Sequence, residues 1–143
     1  MYSFTKFVVS AACALAFSGI AVAIPSNMRA HQLHAARAKG GRNGQATYYN
    51  TEENNGACGW YNKNNEHVIA ISQGLWDETS NGQGGSSSCG RTANINYQGK
   101  SVTVTVVDLC PECAYNDIDM SPSAFEALEN KDAGRLHVSW KFN

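Results

Sequence analysis

Net charge is almost absent from this 143-residue chain, since 11 Lys and Arg stand against 12 Asp and Glu. A balance of −1 excludes the strongly basic surface of a dedicated nucleic-acid binder. Proline is scarce, at 3, and the 13 glycines form no triplet repeat, so neither a disordered nor a collagen-like chain is indicated. No Asn-x-Ser/Thr sequon occurs, and N-glycosylation is not expected. His31, His34, His67 and His137 show no metal-ligand spacing, so neither a metal nor another cofactor is expected. The apolar run from Phe7 to Phe17 falls well short of the ~20 residues that a membrane-spanning helix needs.

What is present divides the chain into three unlike parts. Residues 1–23 have the layout of a secretory signal: a start carrying Lys6, the apolar run, then small residues Ala21 and Ala23 flanking Val22. Cleavage after Ala23 is expected, with a secreted, extracellular product and no membrane anchor. Residues 24–43 hold Arg29, Arg37, Lys39 and Arg42 with no acidic residue and no apolar periodicity. They read as a basic flexible arm or pro-segment. Residues 44–143 carry six Lys and Arg and all twelve acidic residues, a formal charge of −6. Phosphate neutralisation is therefore a poor explanation of the domain.

The signal contains Cys13, and its removal leaves Cys58, Cys89, Cys110 and Cys113. An even set in a small exported domain points to two disulfides. Of the three possible pairings, Cys58–Cys89 with Cys110–Cys113 is favoured because the second pair is so close in sequence. The competing reading is a four-cysteine zinc site, but structural zinc usually uses two close pairs, and Cys58 and Cys89 stand alone. A redox motif would need a surrounding βαβ pattern, which is not seen.

Alternation in the domain is that of strands. Val102, Val104 and Val106 share one face of residues 101–108, with Thr103, Thr105 and Val107 on the other. Leu136, Val138, Trp140 and Phe142 alternate with His137, Ser139 and Lys141. Shorter β-prone runs cover 45–50, 66–72 and 91–97. One helix is expected over 121–130, opened by Ser121 as N-cap and Pro122 at the first helical position. A second short turn is expected at 73–78. Many short strands with so little helix suggest a small closed all-β barrel.

Four motifs in order, with their spacing, resemble the RlpA-like double-psi β-barrel family. They are Gly44-Gln45-Ala46-Thr47-Tyr48-Tyr49, Ala57-Cys58-Gly59-Trp60, Val106-Val107-Asp108-Leu109-Cys110-Pro111, and Ile118-Asp119-Met120-Ser121 followed by Ala124-Phe125. Within that family the chain is most similar to the loosenins, single-domain fungal relatives of expansins. The resemblance covers 44–143 and implies a six-stranded double-psi β-barrel with one or two short helices. It also implies a shallow groove that accepts cell-wall polysaccharide (cellulose, chitin or a related glucan) and loosens it without hydrolysis, from a monomer.

The resemblance places Thr47 and Asp119 at the key groove positions, with Asp108 as a second groove carboxylate and Tyr49 beside Thr47. Trp60, Tyr61 and Tyr115, in polar stretches, are candidates for stacking on sugar rings. Repulsion between Asp119 and Asp108 is expected to raise the pKa of one of them. Asn50 stands where a hydrolase relative would carry its base, while Glu52 and Glu53 remain substitutes. Two other functions are compatible with the same barrel: a cysteine-protease inhibitor or defence-type binding protein, working through loops 51–65 or 79–90, and a weak glycan-cleaving enzyme.

Overall fold

The computed structural model describes residues 40–143. The secretory segment, Cys13 and all but the last residues of the basic arm lie outside them. Six strands form the domain: β1 (Arg42–Tyr48), β2 (Val68–Ser72), β3 (Thr92–Tyr97), β4 (Lys100–Cys110), β5 (Ile118–Met120) and β6 (Leu136–Phe142). They close into a barrel in the order β1-β5-β2-β4-β3-β6. Pairs β1–β5 and β2–β4 are parallel, and the other four are antiparallel. Closure leaves no sheet edge open to another chain.

The alternation read from sequence is the inside-outside pattern of the wall. Val102, Val104 and Val106 of β4, and Leu136, Val138 and Trp140 of β6, point into the core. They meet Ile69, Ile71, Ile95, Ile118 and Met120, all fully buried. Trp140 also donates its indole N–H to the Asn116 carbonyl at 2.8 Å, so its one polar atom is satisfied inside the barrel. Trp76 is likewise packed, at 5% exposure, in helix α1 (Gln73–Glu78), which Ser72 caps by accepting from the Leu75 N–H.

Three boundaries differ from the sequence reading. The first strand begins at Arg42, inside what reads as the basic arm, and ends at Tyr48. Arg42 is 5% exposed because its guanidinium lies 5.3 Å from the Trp140 ring centroid and 5.5 Å from that of Phe142, a cation–π clamp that alternation cannot reveal. Helix α2 covers only Pro122–Glu126. Asn130 and Gly134 bracket a separate 3-10 turn, Lys131–Ala133. Ser121 occupies the cap position, yet its hydroxyl donates to the Glu66 carbonyl at 2.5 Å and accepts from the Val68 N–H, tying α2 to β2 rather than capping it.

Both disulfides have the favoured pairing, Cys58–Cys89 and Cys110–Cys113. The first staples the loop after β1 to the loop before β3. Across this stapled loop, Gly56 sits where any Cβ would run into the Val107 carbonyl, so only glycine lets the chain pass so close to β4.

Candidate functional site

Strand register assembles the site. Thr47 of β1 is opposite Asp119 of β5, Asp119 is opposite Ala70 of β2, and Ala70 is opposite Asp108 of β4. Four neighbouring strands thus present Thr47, Asp119, Ala70 and Asp108 as one transverse row. Two strand spacings separate the carboxylate-bearing backbones, roughly 9–10 Å. Ala70 keeps the centre of the row low. The row includes Asp108 only because the β2–β4 register shifts between Ile69 and Ala70, where a bulge inserts Val107 as an extra residue. Val107 is buried as well as Val106, since the 56–60 turn covers it.

Within this row the polar groups are already engaged. The Thr47 hydroxyl donates to Asp119 Oδ1 at 2.7 Å. Asp108 Oδ1 accepts from the Ala57 N–H at 2.7 Å and from its neighbour Leu109 at 2.8 Å. Tyr49 lies just beyond β1, its N–H still bonded to the Met120 carbonyl at 3.0 Å, and its phenol is hydrogen-bonded to Asp108. Burial, and then the charge of Asp108, push the Tyr49 phenol far above its ordinary value, so it is a neutral donor at any physiological pH. A cavity of about 290 Å³ is lined by Tyr49, Ala70, Asp108, Asp119 and the 109–112 segment.

Burial also holds the Asp119 carboxyl above its ordinary value. The Thr47 hydroxyl, the Met120 N–H and the positive charge of Arg135 oppose the shift, and Asp108 adds the smallest push upward. Repulsion between the two aspartates is therefore not the leading cause expected from sequence; desolvation is. Asp119 sits within β5, and its side chain faces Thr47.

The aromatic candidates separate from this groove. Trp60 is 46% and Tyr61 57% exposed, and Trp60 lines a different cleft, against Asn62, Asn65, Glu66 and Thr105. Tyr115 is not an open stacking surface: it packs on the core margin, where its ring lies 2.8 Å from the position a Gly74 Cβ would take and 6.0 Å from Arg42. Asn50, Glu52 and Glu53 belong to an exposed loop network with Asn64, in which Asn50 Oδ1 accepts from Glu52 N–H and from Asn64 Nδ2. Neither glutamate lines the 290 Å³ cavity.

Sequence reasoning missed three contributors. Glu112 lines the cavity through the Cys110–Cys113 loop; Ala70 forms its floor; Arg135 faces Asp119 electrostatically while donating to Gln45 at 3.1 Å. Glu112 sits in the cysteine motif and was open to inspection, whereas Arg135 becomes relevant only when β6 closes against β1. A larger depression of about 690 Å³ lies on the β1–β6–β3 wall, but its carboxylate, Asp117, is spent on the Gln45 N–H at 2.8 Å. Among the described residues no group of three or more His, Cys, Asp or Glu is placed to hold a metal ion, and no helix is long and apolar enough to cross a membrane.

A closed six-strand barrel with two parallel pairs and a carboxylate row on its wall is a double-psi β-barrel with an expansin-like fold. The chain belongs to the RlpA-like double-psi β-barrel family: residues 41–140 match the family described as lytic transglycolase. It is 37% identical over 105 residues to Allergen Asp f 7 of Aspergillus fumigatus, covering 70% of this chain and 36% of that protein, so it spans about a third of the allergen's length. It is 29% identical over 134 residues to the papain inhibitor of Streptomyces mobaraensis, covering 92% of this chain and 90% of the inhibitor. The solved Streptomyces papain inhibitor superposes with a TM-score of 0.66 at 30% identity, covering 73% and 96% of the two chains. A mutant Clavibacter michiganensis expansin in complex with cellohexaose superposes with a TM-score of 0.59 at 25% identity, covering 72% of this chain and 50% of the expansin.

Proposed function

We propose that this is a secreted, expansin-like protein that holds a β-1,4-linked glucan chain along the Thr47–Asp119–Ala70–Asp108 row and loosens its packing without cleaving it. The observation that carries the reading is the row itself: a low, polar strip across four strands with one carboxyl held partly out of water. The cellohexaose in the expansin complex supports the choice of ligand class. When Asp119 is protonated, Oδ1 keeps its bond from Thr47 while the Oδ2 hydroxyl donates to a glycan oxygen. A hydrogen bond that held two wall chains together is thereby exchanged for one to the protein.

The surroundings of Asp108 support binding without hydrolysis. Cleaving a glycosidic bond needs a second carboxylate free to activate water or attack the sugar. Asp108 Oδ1 already accepts two backbone N–H groups, and the carboxylate also bonds to Tyr49. Asn50 is an amide held in its loop, and it cannot take up a proton at neutral pH. Titration of the protein with cellohexaose tests the reading. Binding read by the amide shifts around positions 47 and 119 should be lost or weakened at least tenfold in Thr47→Val and Asp119→Ala; unchanged shifts there in both would remove the row from the function.

A second reading, cysteine-protease inhibition, is favoured by the near-complete two-way coverage with the Streptomyces papain inhibitor. It would use the 51–65 and 79–90 loops, which the Cys58–Cys89 bond holds together. Papain inhibition that survives Asp119→Asn would support it.

A further inference from the structure

We propose that the barrel carries a second glycan-contact site, the cleft under Trp60, separate from the Asp119 row, so that one molecule holds two glycan chains. This rests on the reading of the protein as a glycan binder. Of the three tryptophans, Trp76 and Trp140 are packed inside, and Trp60 alone stands open, at 46% exposure. An open indole face with polar groups beside it is the form that stacks on a sugar ring. The indole is also held in place. Its outer ring edge lies 3.4 Å from the position a Gly90 Cβ would occupy, the Trp60 backbone carbonyl accepts from the Gly56 N–H at 2.9 Å, and the Cys58–Cys89 bond joins the two supporting loops. A platform fixed before binding loses little freedom when a ligand stacks on it.

The chemistry of the cleft selects a hydroxyl-rich, uncharged ligand. Beside Trp60 stand the amide of Asn65, the hydroxyl of Thr105, His67, and Asn62 donating its amide to the Glu66 carboxyl at 3.3 Å, around a cleft of about 520 Å³ that no Lys or Arg lines. A pyranose ring offers an apolar face for the indole and a rim of hydroxyls for the amides and carboxyl. A phosphate or acidic polymer finds no Lys or Arg there, and meets the carboxyl of Glu66.

The two sites are distinct. No residue lines both, and the 56–60 turn stands between them, tied down by the Ala57 N–H to Asp108 and the Cys58 N–H to the Val107 carbonyl. Their floors, Val68 and Ala70, are two residues apart on β2, roughly 7 Å. A chain lying in one cleft is thus separated from the other by a ridge, which favours two chains over one bent across it.

NMR titration of the labelled protein with cellohexaose, paired with turbidity of cellulose nanocrystals, tests this. Two groups of amide shifts are expected, one around Thr47 and Asp119 and one around Asn62, Asn65 and Thr105, together with crystal bridging. Trp60→Ala should lose the second group and the bridging while keeping the first group and pelleting with cellulose. Asn65→Ala, at an exposed position, should weaken the second group by itself and guards against a misfolded Trp60 variant. One group of shifts only, or undiminished bridging in both variants, overturns the proposal, as does a Trp60 region that responds to papain and not to glycan. Loss of the Thr47–Asp119 group with the Trp60 group intact would sink the groove reading instead.

Discussion

Asp119 keeps its proton to higher pH than an exposed carboxyl because the barrel wall around it withholds water. The sign of the consequence follows from linkage. From its ordinary value of 3.8 upward, the folded protein retains a proton that the unfolded chain releases, so stability contributed at low pH is lost as pH rises through the folded-state pKa. Above that pKa the ionised carboxylate is a standing penalty. Asp119→Asn cannot ionise, and its amide oxygen can still accept from Thr47. Its Tm is therefore expected to exceed that of the wild type at pH 7, with the difference closing as pH falls toward 3.8. A lower Tm for the variant at pH 7 would contradict the origin of the shift in burial. At this scale the sequence was informative through motif and not through periodicity. Thr47 and Asp119 are 72 residues apart, and only the parallel β1–β5 register makes them hydrogen-bond partners. Tyr115 shows the limit: its polar neighbours suggested exposure, but contact with Gly74 and Arg42 depends on how loops pack.

Among the elements, β4 does the most for the site. Its even-numbered valines fill the core, and its bulge at Val107 turns Asp108 onto the row with Asp119. Strict alternation would have put Asp108 on the inner face with Val102, Val104 and Val106, so a regular strand reading could not place it. The bulged stretch is covered by the 56–60 turn, and that turn is anchored by Cys58–Cys89. Replacing both cysteines by alanine should cost about 3–4 kcal/mol on the chain-entropy model, while removing Cys110–Cys113 should cost only about 2. Denaturant unfolding measures both. The first variant should also red-shift the fluorescence of Trp60 as its support loosens, a change that the second should not produce. Equal losses from the two bonds would contradict the account. Strand β5 was hidden from pattern reading by its length: Ile118–Met120 is three residues, too short for alternation to register, and the family resemblance alone marked it.

For the molecule as a whole, the fold was legible because several levels agree: alternating strands, glycine-rich turns, paired cysteines and ordered family motifs all describe one closed barrel. The boundary of the domain was less so, because Arg42 has the composition of the arm but the packing of the barrel. The charge division bears on function. With Arg42 counted in, the barrel carries seven Lys and Arg against twelve acidic residues, a charge of −5, which disfavours anionic polymers and leaves neutral glycans as the better-matched ligand. Swollen cellulose incubated with purified protein tests the central claim most directly, with particle loosening and new reducing ends followed in the same samples. The wild type should loosen the particles and Asp119→Asn should not, with reducing ends at the level of the buffer control throughout. New reducing ends that depend on Asp119 would contradict the non-hydrolytic account and make the protein a glycan-cleaving enzyme.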